Sequence, residues 1–253
     1  MLVRTRSNGE VRSKELTLIS HRGGKGFGPE NTLASLRGAL DFGVEMIETD
    51  VRMSSDGIPV IHHGPFLGLH LLGRITISEI KERSPDIPTL REYLDQTGGR
   101  CSLNLEVKRC EPSALAGVIA DYGTPKPILV SSFDTDFLES FGQTGSPVDL
   151  GLLGQFDPDG DRLLREALRC GATTVLPVSF IAKRELVDAA HAADMRVITW
   201  TVNSTEQVEA VISEGVDGII TDSYPHLSDF LASEVIDMHC AHAPEEGDNE
   251  KER

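Results

Sequence analysis

Cysteine is scarce and dispersed. The four in 253 residues, Cys101, Cys110, Cys170 and Cys240, form no CxxC pair and no Cys/His group at zinc-binding spacing. They read as reduced structural thiols, which excludes a dithiol redox centre or a zinc cluster as the source of activity. Long hydrophobic runs are also missing: no stretch of about 18 apolar residues exists to cross a bilayer. The opening "MLVRTRSNGEVRSKEL" lacks the apolar centre of a secretory leader. The chain is therefore expected to be soluble and cytoplasmic, with no integral membrane segment. Basic residues are outnumbered, 24 Lys and Arg against 40 Asp and Glu, for a formal net charge of −16. That charge repels a nucleic-acid backbone, so no nucleic-acid partner is expected, and an anionic small substrate needs cations placed locally. A salty cytoplasm or plain solubility accounts for the same imbalance.

The length suits one large core. Short β-rich runs alternate with amphipathic segments, and eight of them read as strands: "LTLISH", "MIETDV", "CSLNLEVK", "PILVSSF", "VDLGLLG", "TTVLPVSF", "RVITWTVN" and "GIITDS". Helical spacing of apolar residues marks "NTLASLRGALDFG", "PSALAGVIADYG", "DRLLREALRCG", "RELVDAAHAADM" and "TEQVEAVISEGV". Several end in a glycine suited to a left-handed cap, and Asp134, Thr135 and Ser204 stand at expected N-caps. This repeat predicts a (β/α)8 barrel over residues 14–236, with the doubly wound open sheet as its structural rival. Residues 1–13 and 237–253 fall outside the repeat and are expected to be flexible termini. The connection after "MIETDV", with Asp56-Gly57 as a turn between two extended runs, is the longest on the face that carries function in such barrels.

Strand ends then become a site. The first supplies His21 and Arg22, the second Glu48 and Asp50, the third Glu106 and Lys108. Residues two apart on a strand share a face, so three carboxylates from adjacent strands can converge. Carboxylate oxygens suit a hard divalent cation such as Mg²⁺ or Ca²⁺, which relieves their mutual repulsion. Arg22 and Lys108 beside it form a phosphate cradle, and His21 with the pair His62-His63 adds acid–base groups. The set suits phosphodiester cleavage.

In order and approximate spacing, "HRG", "PENT", "ETDV", "DGIPVIHH", "LEVK", "WTVN" and "GIITDSYP" resemble the glycerophosphodiester phosphodiesterase family over about Leu16 to Ala232. The resemblance implies a (β/α)8 barrel related to phosphatidylinositol-specific phospholipases C. It also implies hydrolysis of a small-molecule glycerophosphodiester to sn-glycerol 3-phosphate and an alcohol, with one divalent cation, generally Mg²⁺ or Ca²⁺. Position by position, it implies His21 and His63 as the acid–base pair, Glu48, Asp50 and Glu106 as metal ligands, and Arg22 and Lys108 on the phosphate. The choice of His63 rests on the resemblance, which leaves His62 packed or hydrogen-bonded on the opposite face.

Trp200, the only tryptophan, is a candidate wall for the substrate's glycerol carbons or a member of the barrel core. Glu30 and Asn31 read as helix-start chemistry or as supports for the ligands. Ser131, Ser132 and Asp222 also fall at strand ends, where hydroxyls and turn-forming Asp are common. Two features depart from the family pattern: Gly64 stands where an aspartate usually follows the second histidine, and "LGLHLLGRITISEI" replaces a Leu-x-Arg-Thr-Thr run. The insertion often carried before the third strand is very short. Phe66, Leu67, Leu69, Leu71 and Leu72 either line a site for a greasier leaving group or pack the loop. A lysophospholipase D or sphingomyelinase D-like activity, or a catalytically silent phosphate-binding barrel, are the alternative functions.

Overall fold

In the computed structural model, residues 1–7, 10–123, 125–155 and 160–237 are described. Cys240 and the charged tail "APEEGDNEKER" lie outside the described residues. The chain opens with a hairpin of β1 (Leu2–Ser7) and β2 (Glu10–Glu15), then runs through β3 (Thr17–Ser20) into α1 (Leu33–Phe42). Next comes β4 (Met46–Met53), which turns back as β5 (Pro59–Ile61). A small hairpin, β6 (Phe66–Leu67) and β7 (His70–Leu71), and two helices, α2 (Ile77–Arg83) and α3 (Leu90–Thr97), complete that long connection. From there the alternation is regular: β8 (Ser102–Val107), α4 (Pro112–Tyr122), β9 (Ile128–Ser132), α5 (Thr135–Gly142), β10 (Asp149–Gly154) and α6 (Asp161–Arg169). The remaining elements are β11 (Thr174–Pro177), α7 (Arg184–Ala192), β12 (Arg196–Thr199), α8 (Thr205–Glu214), β13 (Gly218–Thr221), α9 (Tyr224–Ser233) and β14 (Val235–Asp237).

All eight expected strands form, and the parallel pairings β3–β4 and β13–β3 close them into a (β/α)8 barrel, which rules out the open sheet. Strand alternation gives two apolar layers. Leu18, Ile47, Leu105, Val130, Leu152, Val175, Val197 and Ile219 face outward against helix residues such as Leu36, Leu115, Leu138 and Leu227. Ile19, Met46, Leu129, Leu153, Leu176, Ile198 and Ile220 fill the interior, with Trp200 packed on them. The polar mouth residues follow on this inner parity.

Local capping fits the sequence. Asp134 accepts from the Asp136 and Phe137 N–H groups, and Ser204 forms a capping box with Gln207. Thr135 is the first helical residue, not a cap. The leading segment, expected to be flexible, instead forms β1 and β2, with β14 pairing parallel to β1. Val3 and Thr5, on one face of β1, are buried, and that gain offsets the entropy of ordering the segment. Within the long connection, Leu72 is buried with Val60, Ile75, Ile80 and Ile87, with Leu67 partly so, while Phe66 and Leu69 are 56% and 97% exposed. Part of the apolar run therefore packs the loop and part stays in solvent.

Two glycines separate cap from contact. Gly43 ends α1 at φ 93° with open space where a Cβ would sit; Gly24, at φ 94°, would bring its Cβ 2.7 Å from the Ser35 carbonyl oxygen. In urea unfolding, Gly43→Ala is expected to cost about 1 kcal/mol. Gly24→Ala should cost about 1–3 kcal/mol more, from overpacking. Equal losses would show that the loop after β3 yields freely.

Candidate functional site

β4 outruns β3, and this mismatch builds the site. β3 pairs with Met46 and Ile47 only, whereas Val51, Arg52 and Met53 pair antiparallel with β5. The returning strand crosses the C-terminal mouth of the barrel, and the His62 N–H donates to the Asp50 carbonyl at 3.0 Å. Alternation then sends the two histidines to opposite faces. His62 Nδ1 meets the Gly64 carbonyl at 2.8 Å, while His63 Nε2 lies 3.0 Å from Arg22 Nη2.

The turn after β3 is tied down by backbone groups. His21 N–H donates to Thr221 O at 2.9 Å, and Asn31 N–H to Arg22 O at 2.7 Å. Arg22 and Asn31 both have left-handed backbones, φ 49° and 58°, a conformation that costs on the order of 1–3 kcal/mol each in a non-glycine residue. The offset is visible in the partners. The Arg22 N–H donates to Glu48 Oε2 at 2.7 Å, and Asn31 Nδ2 donates to Asp50 Oδ2 at 2.8 Å. Asn31 Oδ1 also accepts from Thr49 Oγ1 at 2.8 Å.

Glu48, Asp50 and Glu106 are 1%, 1% and 7% exposed. One oxygen from each lies within 4.8 Å of the others. Lys108 Nζ donates to Glu106 Oε1 and lies 3.3 Å from Asp50 Oδ1. Burial, followed by repulsion from Asp50 and Glu106, pushes the Glu48 carboxyl well above the usual range. Burial also raises Glu106, though Lys108 opposes it. Burial would lower the Lys108 ammonium, but Glu106 and Asp50 outweigh it and keep it charged. Glu48 Oε1 is buried with no hydrogen-bond partner among the described residues. Three hard oxygen donors, one of them orphaned, fit a divalent cation, and this acidic group could hold one.

His21 is fixed from the opposite side. Its Nδ1 lies 2.7 Å from Asp222 Oδ1, and Nε2 lies 3.8 Å from Glu48 Oε2. A carboxylate can only accept, so Nδ1 carries the proton and Nε2 faces the cluster. Asp222 also accepts from Lys25 Nζ at 3.0 Å, and its N–H donates to Asn203 Oδ1 at 2.9 Å. The hydrogen bond from His21, aided by Lys25 against the cost of burial, holds the Asp222 carboxyl far below the usual range. Arg22 Nη1 donates to Glu30 Oε2 at 2.9 Å. Because guanidinium only donates, His63 Nε2 accepts. Burial, with Arg22 and Lys108 nearby, lowers the His63 pKa and favours its neutral ring, although Asp50 opposes.

The rest of the mouth is aromatic. Lys108 Nζ sits 5.8 Å from the Phe133 ring centroid. Phe133 meets Trp200 edge-on at 5.7 Å, and Trp200 Nε1 donates to Leu176 O at 2.7 Å. Trp200 is thus half-buried, anchored in the core and exposed at the mouth. A cavity of about 450 Å³ lined by Pro125, Lys126, Pro147 and Asp149 opens before β9 and β10, at the other end of the barrel from these groups.

Every site residue expected from the sequence therefore lies at one mouth. The hold of Asn31 on Asp50 realises one of the two roles the sequence allowed it, support of the ligands, while the hold of Asp222 on His21 was passed over. Asp222 shares the inner parity of Ile220, and that was the available signal.

The sequence profile of the glycerophosphoryl diester phosphodiesterase family matches residues 21–225. A glycerophosphodiester phosphodiesterase of Caldanaerobacter subterraneus subsp. tengcongensis is 30% identical over 231 residues, spanning 81% of this chain and 93% of its own. One from Bacillus altitudinis is 29% identical over 81% of this chain and 94% of its own. An Oleispira antarctica phosphodiesterase, solved in complex with the product sn-glycerol-3-phosphate, matches with a TM-score of 0.78 and 26% identity, over 86% of this chain and 97% of that one. A putative glycerophosphoryl diester phosphodiesterase from Silicibacter pomeroyi matches at 0.75 and 27%, over 90% and 96%.

The carboxylate cluster has a thermodynamic signature. Glu48 and Glu106 hold protons more tightly folded than unfolded, so without cation the protein should gain stability as pH falls from neutrality toward the ordinary carboxylate range. Glu48→Gln should flatten that dependence and raise the neutral-pH melting temperature by about 2–4 °C for each kcal/mol of repulsion relieved. Added Mg²⁺ or Ca²⁺ is expected to stabilise the wild type, and Glu48→Gln to lose that gain. Thermal unfolding against pH, with EDTA and with each cation, checks this; a variant still stabilised like the wild type would remove Glu48 from the cation site.

Proposed function

This chain belongs to the glycerophosphoryl diester phosphodiesterase family, and we propose that it hydrolyses glycerophosphodiesters to sn-glycerol 3-phosphate and an alcohol, with Mg²⁺ or Ca²⁺ on Glu48, Asp50 and Glu106. The class is that of a phosphoric diester hydrolase. The observation that carries the finer reading is the buried carboxylate triad with its orphaned Glu48 oxygen, flanked by two histidines and two cationic side chains.

When bound, the cation supplies Lewis-acid polarisation of the phosphoryl group and neutralises the triad. Lys108 and Arg22 hold the diester's free oxygens; Arg22 exchanges its contacts with Glu30 and His63 for the phosphate. That exchange frees His63 Nε2. The neutral imidazole takes a proton from the attacking oxygen, which belongs to water or to the glycerol 2-hydroxyl. The bond from phosphorus to the leaving alkoxide breaks, and His21, as the imidazolium that Asp222 stabilises through Nδ1, delivers its Nε2 proton to that oxygen. With the 2-hydroxyl as nucleophile, water then opens a cyclic phosphate. Asp222 acts through His21: it keeps Nδ1 protonated and orients the ring. Trp200 and Phe133 wall the mouth against the substrate's carbon atoms.

A second reading, a lipid-bearing diester, is favoured by the exposed Phe66 and Leu69 on the β6–β7 hairpin. Turnover of lysophosphatidylcholine discriminates it from glycerophosphocholine.

Release of glycerol 3-phosphate from glycerophosphoethanolamine is expected with Mg²⁺ or Ca²⁺ and not with EDTA. His21→Ala and His63→Ala should each lower kcat by about a hundredfold or more. Asp222→Asn should be impaired at unchanged KM. A fully active His63→Ala enzyme would remove that residue from the mechanism.

A further inference from the structure

A groove of about 150 Å³ adjoins the site, lined by Phe133, Leu153, Gly154, Gln155, Arg162, Leu163 and Glu166. One wall belongs to both. Phe133 carries Lys108 Nζ at 5.8 Å from its ring centroid and also closes this groove. Leu153 and Gln155 continue the inner parity of β10 to the mouth, and the groove passes over the end of that strand to the first two turns of α6. Gly154 sits against Leu163, where a Cβ would fall 2.8 Å from a Leu163 methyl, so a larger residue there would have to displace the Leu163 side chain.

The groove's chemistry is mixed in a specific way. Arg162 and Glu166 lie four residues apart on α6 and are neighbours on its surface. Neither has an ion pair or side-chain hydrogen bond among the described residues, and Gln155 likewise has no hydrogen-bond partner among them. A carboxylate, a guanidinium and a carboxamide therefore line one small cavity beside the phosphate-binding lysine. A head group that is only cationic satisfies Glu166 but is repelled by Arg162. A plain polyol pairs with neither charge. An alcohol bearing both an ammonium and a carboxylate meets both. The volume is below the 300–1,000 Å³ or so of sites for drug-sized ligands, so it receives a head group and not an acyl chain.

Resting on the hydrolase function proposed above, we propose that this groove binds the leaving alcohol and selects a small zwitterionic one, an amino-acid alcohol of the serine type. Glu166 receives the ammonium, Arg162 the carboxylate, and the Phe133 ring packs on the intervening carbons.

The test compares kcat/KM for glycerophosphoserine, glycerophosphoethanolamine and glycerophosphoglycerol, with saturating Mg²⁺ or Ca²⁺. Glycerophosphoserine is expected to lead by tenfold or more. Glu166→Gln and Arg162→Gln should each reduce that preference at least several-fold, mainly through KM, with Glu166→Asp recovering part of it. Both positions lie on the helix surface, and far-UV circular dichroism checks that the variants fold. Equal kcat/KM for the three diesters, or a preference that survives both substitutions, overturns the head-group assignment and leaves the hydrolase function standing. No turnover of any diester with either cation overturns both.

Discussion

Glu48, Asp50 and Glu106 are held together by strand register, and their mutual repulsion is what the surrounding structure has to answer. β4 and β8 pair with Asp50 directly opposite Glu106 and with Glu48 opposite Asn104, all on the inner face. Like charges so placed on neighbouring strands destabilise a sheet, and more so when buried. The compensations come from separate segments: the Arg22 backbone N–H, the Asn31 carboxamide and the Lys108 ammonium each take one or two of the oxygens. The left-handed backbones of Arg22 and Asn31 make sense in this light, since both angles aim a donor at the triad. Glu48 Oε1 is buried with no hydrogen-bond partner among the described residues, which leaves it open to a cation.

The same demand explains how a chain of net charge −16 collects basic side chains at one mouth. Arg22, Lys25 and Lys108 are drawn to the mouth by carboxylates: Arg22 by Glu30, Lys25 by Asp222, and Lys108 by Glu106 and Asp50 of the triad. Acidic partners thus gather basic side chains at the mouth of an acidic chain. The aromatic half of the mouth has the complementary task. Phe133 and Trp200 lower the local dielectric next to Lys108, which strengthens its ion pairs with Glu106 and Asp50.

Much of this was legible because barrel strands alternate faces. Once Glu48 and Asp50 share a face with the interior residue Met46, the site residues follow by counting in twos. Capping was legible for Asp134 and Ser204, since their side chains act on the next turn. What escaped was non-local. β1 pairs with β14 across more than two hundred residues, and nothing in "LVRTRS" names that partner. Asp222 looks like an ordinary turn residue until closure of the barrel brings it to His21. Asn31 sits beside a true cap, Thr32, and its hold on Asp50 depends on a backbone angle that no composition signals.

Position 64 shows how such non-local holds substitute for a residue the family resemblance led one to expect. Gly64 has room for a side chain, as a Cβ there would meet His62 Cε1 at 3.5 Å, so sterics do not exclude an aspartate. The ring of His63 is oriented through the backbone instead. The His62 N–H is bound by the Asp50 carbonyl, and the His63 carbonyl accepts from Arg52 Nε at 2.9 Å. With the chain pinned on both sides, the imidazole needs only one further contact, and Arg22 provides it. Arg52 in turn is attracted by Asp50, which opposes the cost of its partial burial. The histidine's placement therefore derives from the carboxylate cluster as well. Among the charges around His63, Asp50 favours the protonated ring, and burial with Arg22 and Lys108 outweighs it.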